Sequence, residues 1–560
     1  MERSPLKYIK AVFWLVMVAL CIAAPLVLSA DGGGELTTAD RVALLYAPQF
    51  NFTRGGEPLI HVGVFDEVTK AEFTSDGPLR VFSPGVPDPV LLLNGRKPVK
   101  VSIGAGKAGR YRYWVVVGRR GIDQSDATNA AIDAWADRGY LATPHEVGAL
   151  FAVGGRRFDS RVVLIGLGGY DSYKEAARLA ERIEDRFGVE TEMHTELLDY
   201  PSGKLTVSGG GRRQKQTWPD VVWVAPEEPG QTFTIKTPKG KRRFSGQLFF
   251  IADQEGKLAV VNAVPIETLV KGVVPSEVYT SAPIESLKAQ AVAARGHILG
   301  AVGVRHLGDP FLKCSEVHCQ VYSGLSNEHP RTNRAVEETR GVVMFEASSL
   351  KGDWRIVDAR YSSNCGGHTE DNDLVWGGEA APYLRGRMDV GGGGSGNFAG
   401  GINERNISQW LTRDVQAWCN TDKYGGNRTF RWEKTVDIDT VQAKLNRIQD
   451  IGRLKDVAIL ARGVSGRIIR MRIDGEFGSV ELDRELAIRR LFGGLRSSMF
   501  VMTVTRDDRG FPKRFDFKGG GFGHGSGMCQ TGAMNMGLRK YNYRKILQHY
   551  YKGIALETLY

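Results

Sequence analysis

The chain has 560 residues, 42% of them hydrophobic and 24% charged, which is an ordinary globular balance with room for roughly two to four domains. Six cysteines in such a length exclude a disulfide-built scaffold, so hydrophobic cores must supply the stability. A net charge of +11 and a pI near 9.2 suit a polyanionic partner such as nucleic acid, anionic lipid or bacterial wall.

Arg3, Lys7 and Lys10 precede an uncharged run over 11–29, and Ala30 offers a cleavage point. Residues 1–30 therefore read as an export signal, long enough to stay as an inner-membrane anchor if uncleaved. Cys21 follows bulky Leu20 and does not read as a lipoprotein cysteine. Export argues against nucleic acid and places the chain in the periplasm or cell envelope. Residues 31–57 are polar and Gly-rich, as expected of a linker. Residues 58–105 read as strands, beginning with the alternating PLIHVGVF at 58–65 and continuing at 79–82 and 89–93.

Residues 106–198 change pattern. Two strand–helix units follow one another, YRYWVVVGRR with SDATNAAIDAWADRGY, then SRVVLIGLGG with DSYKEAARLAERIEDRFG. Ser172 and Glu175 have capping-box spacing, and Ala176, Leu179, Ala180, Ile183 and Phe187 fall on one helical face. This segment resembles the SPOR domain, which binds glycan strands stripped of peptide; a different ferredoxin-like packing domain is the plainer reading.

From 199 to 560 strands dominate, among them VVWVAP, TFTIKTP, GQLFFIA and KLAVVNAV, then 341–346, 355–362 and 467–482. Helices are expected at about 283–300, at ELAIRRLFGGL and at NYRKILQHYYKG, with a loop over 390–401. The fold class is thus α+β, a large β-rich domain with a few helices plus a small ferredoxin-like α+β domain.

Pro275-Ser276-Glu277 reads as a turn before a helix whose Lys288 and Arg295 share a face. A nearby helix N-terminus and basic groups would favour the Glu277 carboxylate, whereas a general acid needs burial. On these residues alone Glu277 is either a turn residue or a catalyst. The stretch KGGGFGHGSGMCQTGAMNMG at 518–537 is neither a P-loop, nor a serine-hydrolase elbow, nor a dinucleotide fingerprint. Cys314, His318 and Cys319 form a C-x3-H-C run, one ligand short of zinc's usual four. Cys365 and His368 could complete it; a disulfide from Cys314 or Cys319 to Cys365 is the competing reading. No H-E-x-x-H pattern points to zinc hydrolysis.

VVPSEVYTSAPIESLKAQAVAAR, CSEVHCQVYSG, YSSNCGGHTED with APYLRG, LRSSMF and GFGHGSGMCQTGAMNMG occur in that order. Together they resemble the stage II sporulation protein D family, the SpoIID/LytB domain, over about 200–560 and with 58–65 as its detached beginning. The resemblance implies lytic cleavage of the β-1,4 MurNAc–GlcNAc bond in peptide-free glycan, leaving 1,6-anhydro ends, with Glu277 as acid and base. It implies no required cofactor, a structural zinc at Cys314 and His318 being the option. Lys288, Arg295, Gln320, Tyr322, Ser363, His524 and Gln530 become groove candidates, with structural support the rival role for several of them. The loop's glycines would let backbone amides approach sugar, unless the loop only packs beneath the site. The same family name covers amidase enhancers, which bind glycan and stimulate a cell-wall amidase without cutting.

Overall fold

The structure is a computed structural model and describes residues 38–47, 51–83, 90–187, 189, 191–300, 302–316, 319–377, 379–391, 398 and 400–560. The basic and apolar N-terminal segment lies outside the described residues, as do His318 and most of the 390–401 loop. No helix among the described residues is long and apolar enough to cross a membrane.

Two sheets build the main body. One runs Asn51–Phe52, Pro58–Val68, Leu258–Pro265, Gln247–Ala252, Val221–Pro226, Pro78–Phe82 and Leu91–Asn94, with Lys313–Cys314 added in parallel beside Pro58–Val68. The other is six-stranded and carries Lys70–Ser75, Val99–Lys107, Ser202–Gly209 and Phe233–Thr237 at its middle. Alternation sends Ile60, Val62, Leu248, Phe250 and Val260 into the core between the sheets. The opposite face of the first sheet is also covered. Phe249, Ile251 and Val261 pack there against Val42 and Leu45. Those two sit on a Thr38–Tyr46 helix, so the polar 31–57 stretch expected as a linker contains a docked helix. Double coverage is why the 58–65 strand is buried almost continuously rather than on one face.

Between the strands of this body lies a four-stranded antiparallel sheet, ordered Glu192–Asp199, Arg110–Gly121, Val162–Tyr170, Ala142–Val147. Its helices are Ser125–Ala136 and Tyr173–Phe187. Counted along the chain this is order 4-1-3-2, the split βαβ arrangement of ferredoxin-like folds. Ala176, Leu179 and Ile183 are buried against Val115, Ile165 and Leu167, as the helical spacing required. The other sheet face, through Val116, Val147 and Leu164, meets Leu307 of the main body. A cleft of about 1160 Å³ opens along this junction, with Arg119, Arg161, Arg305, Arg360 and Trp376 in its wall.

A third core was not foreseen. Two three-stranded sheets, Arg431–Asp437 with Pro512–Gly520 and Phe500–Arg506, and Leu454–Arg462 with Ile468–Gly475 and Ser479–Asp483, enclose Phe492, Phe515, Met471 and Ile473. The strand expected over 355–362 shrinks to Tyr361–Ser362, which pairs in parallel with Met528–Cys529.

Two helices, Ile266–Glu277 and Ile284–Gly300, are joined through the core by one buried ion pair. Arg295 Nε and Nη2 donate to Glu267 at 3.1 and 2.7 Å, and its Nη1 reaches the Val342 carbonyl at 2.9 Å. Glu267 also accepts from Gly341 N–H at 2.9 Å and Tyr560 OH at 2.7 Å. Burial works to raise this carboxyl, but Arg295 outweighs it and holds it below the usual carboxylate range. A depressed carboxylate stabilises the fold above its unfolded pKa and loses that contribution as pH falls. Arg295→Met strands a buried charge and is expected to cost about 3–5 kcal/mol in urea unfolding at neutral pH. Arg295→Met with Glu267→Leu should recover part of that loss; an additive double mutant contradicts the pairing.

Candidate active site

Glu277 is the last residue of the Ile266–Glu277 helix, not a turn residue ahead of the next one. Pro275 lies in its final turn, where a missing N–H leaves the Lys271 carbonyl without its usual donor and the helix stops two residues later. The carboxyl thus sits at the negative end of a helix dipole. Lys288 and Arg295 do not compensate it. Lys288 Nζ is held at 2.7 Å by both Glu285 and Glu338, and Arg295 is fully buried on Glu267. The expectation that helix terminus and basic neighbours favour the carboxylate is therefore corrected. Burial raises the Glu277 pKa, against a smaller pull from the Lys313 ammonium and a hydrogen bond from Val321 N–H.

Lys313 comes from the short strand added beside Pro58–Val68 and is 4% exposed. Burial brings its pKa down to about 8. Its Nζ lies 3.5 Å from Gln320 Oε1, and Gln320 Nε2 donates to Tyr361 OH at 3.0 Å. Burial and then the Glu277 charge push the Tyr361 phenol well up. Glu277, Lys313, Gln320 and Tyr361 therefore form one electrostatic group. Sequence reading had only Glu277 and Gln320; a lone Lys beside Cys314 and a lone Tyr carry no pattern.

The glycine-rich loop closes the other side. Gly521, Gly523, Gly525 and Gly527 all have φ between 73° and 99°, so every second residue sits in the left-handed region. A Cβ on Gly527 would lie 2.0 Å from the Arg360 carbonyl, and one on Gly525 would meet the Arg467 guanidinium at 2.3 Å. These glycines serve close packing against protein, the plainer of the two readings. His524 is occupied as well. Its Nδ1 accepts from Ser526 N–H at 3.1 Å, so Nε2 carries the proton and donates to the Tyr361 carbonyl at 3.0 Å. Burial drops its pKa to about 3, so the ring is neutral. Gln530 Nε2 donates to the Glu277 carbonyl at 3.2 Å and approaches Gln290 Oε1 at 3.4 Å. Ser363 acts through its carbonyl, which accepts from Thr531 N–H and Oγ1 at 3.0 and 2.8 Å.

Several groove candidates are thereby reassigned. Arg295 and Tyr322 are core residues, 0% and 1% exposed, and Tyr322 packs on Gly272 with its OH on Asn262 at 3.1 Å. Lys288 belongs to a helix-surface ion network. Gln320, His524 and Gln530 make side-chain hydrogen bonds to the protein around Glu277, and Ser363 contributes its backbone carbonyl. Two exposed aromatic residues stand out near these groups. Tyr279, two residues after Glu277, is 55% exposed and its ring lies 5.9 Å from that of Tyr424. Trp376 is 38% exposed, 4.7 Å from the His524 ring and under the Arg360 guanidinium. Burying apolar rings beside a polar rim is what a sugar-binding groove uses.

Cys314 comes together with Cys319 and His306, their ligand atoms all within 4.8 Å. His306 was missed, because its spacing from Cys314 matches no compact motif. Its Nε2 lies 3.3 Å from Cys319 Sγ and its Nδ1 2.9 Å from Asp309. Two sulfurs and an imidazole suit zinc, with a fourth donor needed beyond these three. Cys365 and His368 do not complete the set: Cys365 lies beside Cys419 and Asp389, and His368 Nδ1 bonds the Thr369 carbonyl at 2.7 Å. The expected disulfide to Cys365 is absent among the described residues, where Cys314, Cys319, Cys365, Cys419 and Cys529 form no disulfide.

Two families match. Residues 254–345 match the stage II sporulation protein family, and 370–527 match a domain of unknown function (DUF8618). The first span holds Glu277, Lys313 and Gln320; the second holds the third core and His524. An uncharacterized protein of Brachyspira hyodysenteriae is 29% identical over 313 residues, 56% of this chain and 72% of that one. An amidase enhancer of Bacillus subtilis is 28% identical over 51% of this chain and 40% of its own length. The stage II sporulation protein D of Bacillus amyloliquefaciens is 24% identical over 53% of this chain and 75% of its own.

Lys313→Met removes the positive charge facing Glu277. The Glu277 carboxyl should then titrate at higher pH than in wild type, as read by carbon-13 NMR of labelled carboxyls. An unchanged or lower titration contradicts the charge relationship described here.

Proposed function

Because the chain belongs to the stage II sporulation protein D family, we propose that it is an envelope enzyme that cleaves peptidoglycan glycan as a lytic transglycosylase. The observation that carries this reading is the state of Glu277: a carboxyl pushed up by burial, fixed at a helix end, with one buried ammonium beside it. A protonated carboxyl can donate to the glycosidic oxygen between MurNAc and GlcNAc. As the carboxylate it then accepts the proton of the muramic C6 hydroxyl, whose oxygen closes on C1. The leaving sugar departs with the first proton, and the product ends in a 1,6-anhydro ring. One carboxyl serves both steps, so no second one at a set spacing is required. Lys313 and Val321 N–H favour the intermediate carboxylate, and burial favours its reprotonation.

Tyr279, Tyr424 and Trp376 give sugar rings flat apolar faces to stack on. The ferredoxin-like module would act as the SPOR-like glycan holder. Arg119, Arg161 and Arg305 in its cleft suit the lactyl carboxylates that peptide-free strands expose. Holding the strand near the scissile bond raises its effective concentration there. A zinc on Cys314, Cys319 and His306 would tie the Lys313 strand to its neighbouring loop and take no part in proton transfer. The N-terminal segment would export the chain to the envelope, cleaved or kept as an anchor.

A second reading rests on the similarity to an amidase enhancer: glycan binding that stimulates a cell-wall amidase without cutting. Purified residues 31–560 and Glu277→Gln, given peptide-free glycan strands, separate the two by mass spectrometry. The expected outcome is new 1,6-anhydro ends from wild type and a fall of at least about 10²-fold in the variant. The alkaline side of the pH–rate profile should report Glu277 losing its proton. A raised carboxyl pKa costs stability above the unfolded value, so Glu277→Gln should also unfold at a higher temperature at neutral pH. Strand binding by both proteins with no cutting by either would replace the enzyme with the enhancer.

A further inference from the structure

Cys365, Cys419, Cys529 and Asp389 meet in the core behind the glycine-rich loop, all 0% exposed, with their ligand atoms within 4.8 Å of one another. Cys365 Sγ lies 3.5 Å from Cys419 Sγ and 3.2 Å from Asp389 Oδ2. We propose that these four residues are a tetrahedral zinc site that clamps the floor of the active site. The donor set is three soft sulfurs and one oxygen, which selects zinc over magnesium or calcium.

The spacing supports a single ion. Zinc–sulfur bonds of about 2.3 Å at tetrahedral angles place sulfurs about 3.8 Å apart, close to the observed 3.5 Å. A disulfide would need about 2.05 Å and would leave one of the three cysteines over. An iron–sulfur cluster spreads its ligands around a core wider than this one.

The surroundings resemble those of a metal ligand shell. Cys529 is the N-cap of the Gln530–Leu538 helix, and its sulfur accepts from Gly532 N–H at 3.4 Å and Cys365 N–H at 3.2 Å. Helix N-termini and backbone N–H groups favour thiolate. Asp389 turns Oδ1 to His549 Nε2 at 3.0 Å and Oδ2 to the sulfurs, the outer bond that orients a ligating carboxylate. Three sulfurs and a carboxylate oxygen converge here out of reach of water, a donor set that a bound cation would satisfy. The guanidinium of Arg431 is spent on the carbonyls of Leu411, Gly366, Phe430 and Trp410.

The three cysteines lie on three separate segments. Cys365 follows the Tyr361–Ser363 stretch, Cys529 precedes Gln530, and Cys419 follows Trp418, whose carbonyl holds Asn535 Nδ2 at 2.8 Å. One ion would lock the segment under Tyr361 to the helix that grips the Glu277 carbonyl.

The test is zinc content by mass spectrometry of protein purified under reducing, zinc-replete conditions. Cys314→Ser with Cys319→Ser removes the other sulfur cluster and should leave about one equivalent of zinc. Adding Cys419→Ser should remove it. With cobalt in place of zinc, the first variant should show thiolate-to-cobalt charge transfer that the second lacks. Cys419→Ser alone, in the otherwise native chain, should lose about one equivalent against wild type, which keeps the test open if the double variant fails to fold. A Cys419→Ser protein with the wild-type zinc content overturns the proposal. So does a folded double variant free of zinc, or a Cys365–Cys419 disulfide in the native protein.

Discussion

The Arg295–Glu267 pair fixes where the chemistry can happen. It joins the helix that ends in Glu277 to the helix that carries Gln290, and does so in the core, where neither charge has water as an alternative. Gly341 and Tyr560 complete the Glu267 shell, so the last strand of the chain is tied to the same point. Sliding either helix would leave a buried charge without its partner. The end of the Ile266–Glu277 helix, with the Glu277 side chain half-buried, is thereby held near the Lys313 strand.

That rigidity changes what the polar residues around the site are for. A catalytic carboxyl with a raised pKa must be kept dry and kept in place, and those two needs compete with offering donors to a ligand. Here the donors are turned inward. Gln530 holds the Glu277 carbonyl, His524 holds the Tyr361 carbonyl, and Gln320 spans Lys313 and Tyr361. The alternating left-handed glycines belong to the same economy: they bring the loop onto Arg360 and Arg467 at distances no Cβ permits. Recognition then falls to exposed rings at the rim.

Sequence pattern was a good guide wherever one element's own periodicity decided its fate. The Tyr173–Phe187 helix, the 284–300 helix and the main-body strands are of this kind, and so is the α+β class. It failed where long-range contact decided. Nothing in PSE says that the preceding residues form a helix that buries Glu277 at its end, and so the dipole argument came out with the wrong sign. Lys313 and Tyr361 are 36 and 84 positions beyond Glu277 and lie in no motif with it. A partner for Cys314 or Cys319 was sought at Cys365 because an oxidising envelope favours a disulfide. Two clusters, one with His306 and one with Asp389, account for all five without any bridge. Strands at 467–482 and the ELAIRRLFGGL helix are legible in the sequence, but that they join strands over 431–437 and 500–520 in a separate core depends on long-range pairing.

Each of the two sulfur clusters is next in the chain to a residue that touches the Glu277 group, and this matters for how the site can be held. Lys313 immediately precedes Cys314 on one side, and Cys529 immediately precedes Gln530 on the other. Each cluster therefore fixes a residue that acts on Glu277, one through its charge and one through a hydrogen bond. The Cys365, Cys419 and Cys529 segments are already packed into a hydrophobic cluster with Trp410, Phe430 and Met528. A metal ion bound at either cluster, as proposed above, would cross-link these segments through their side chains. A long glycan strand cannot enter a closed pocket. On the proposed function, an open rim would serve such a polymer, and metal-bound clusters would be one way to hold the acid in place beside it.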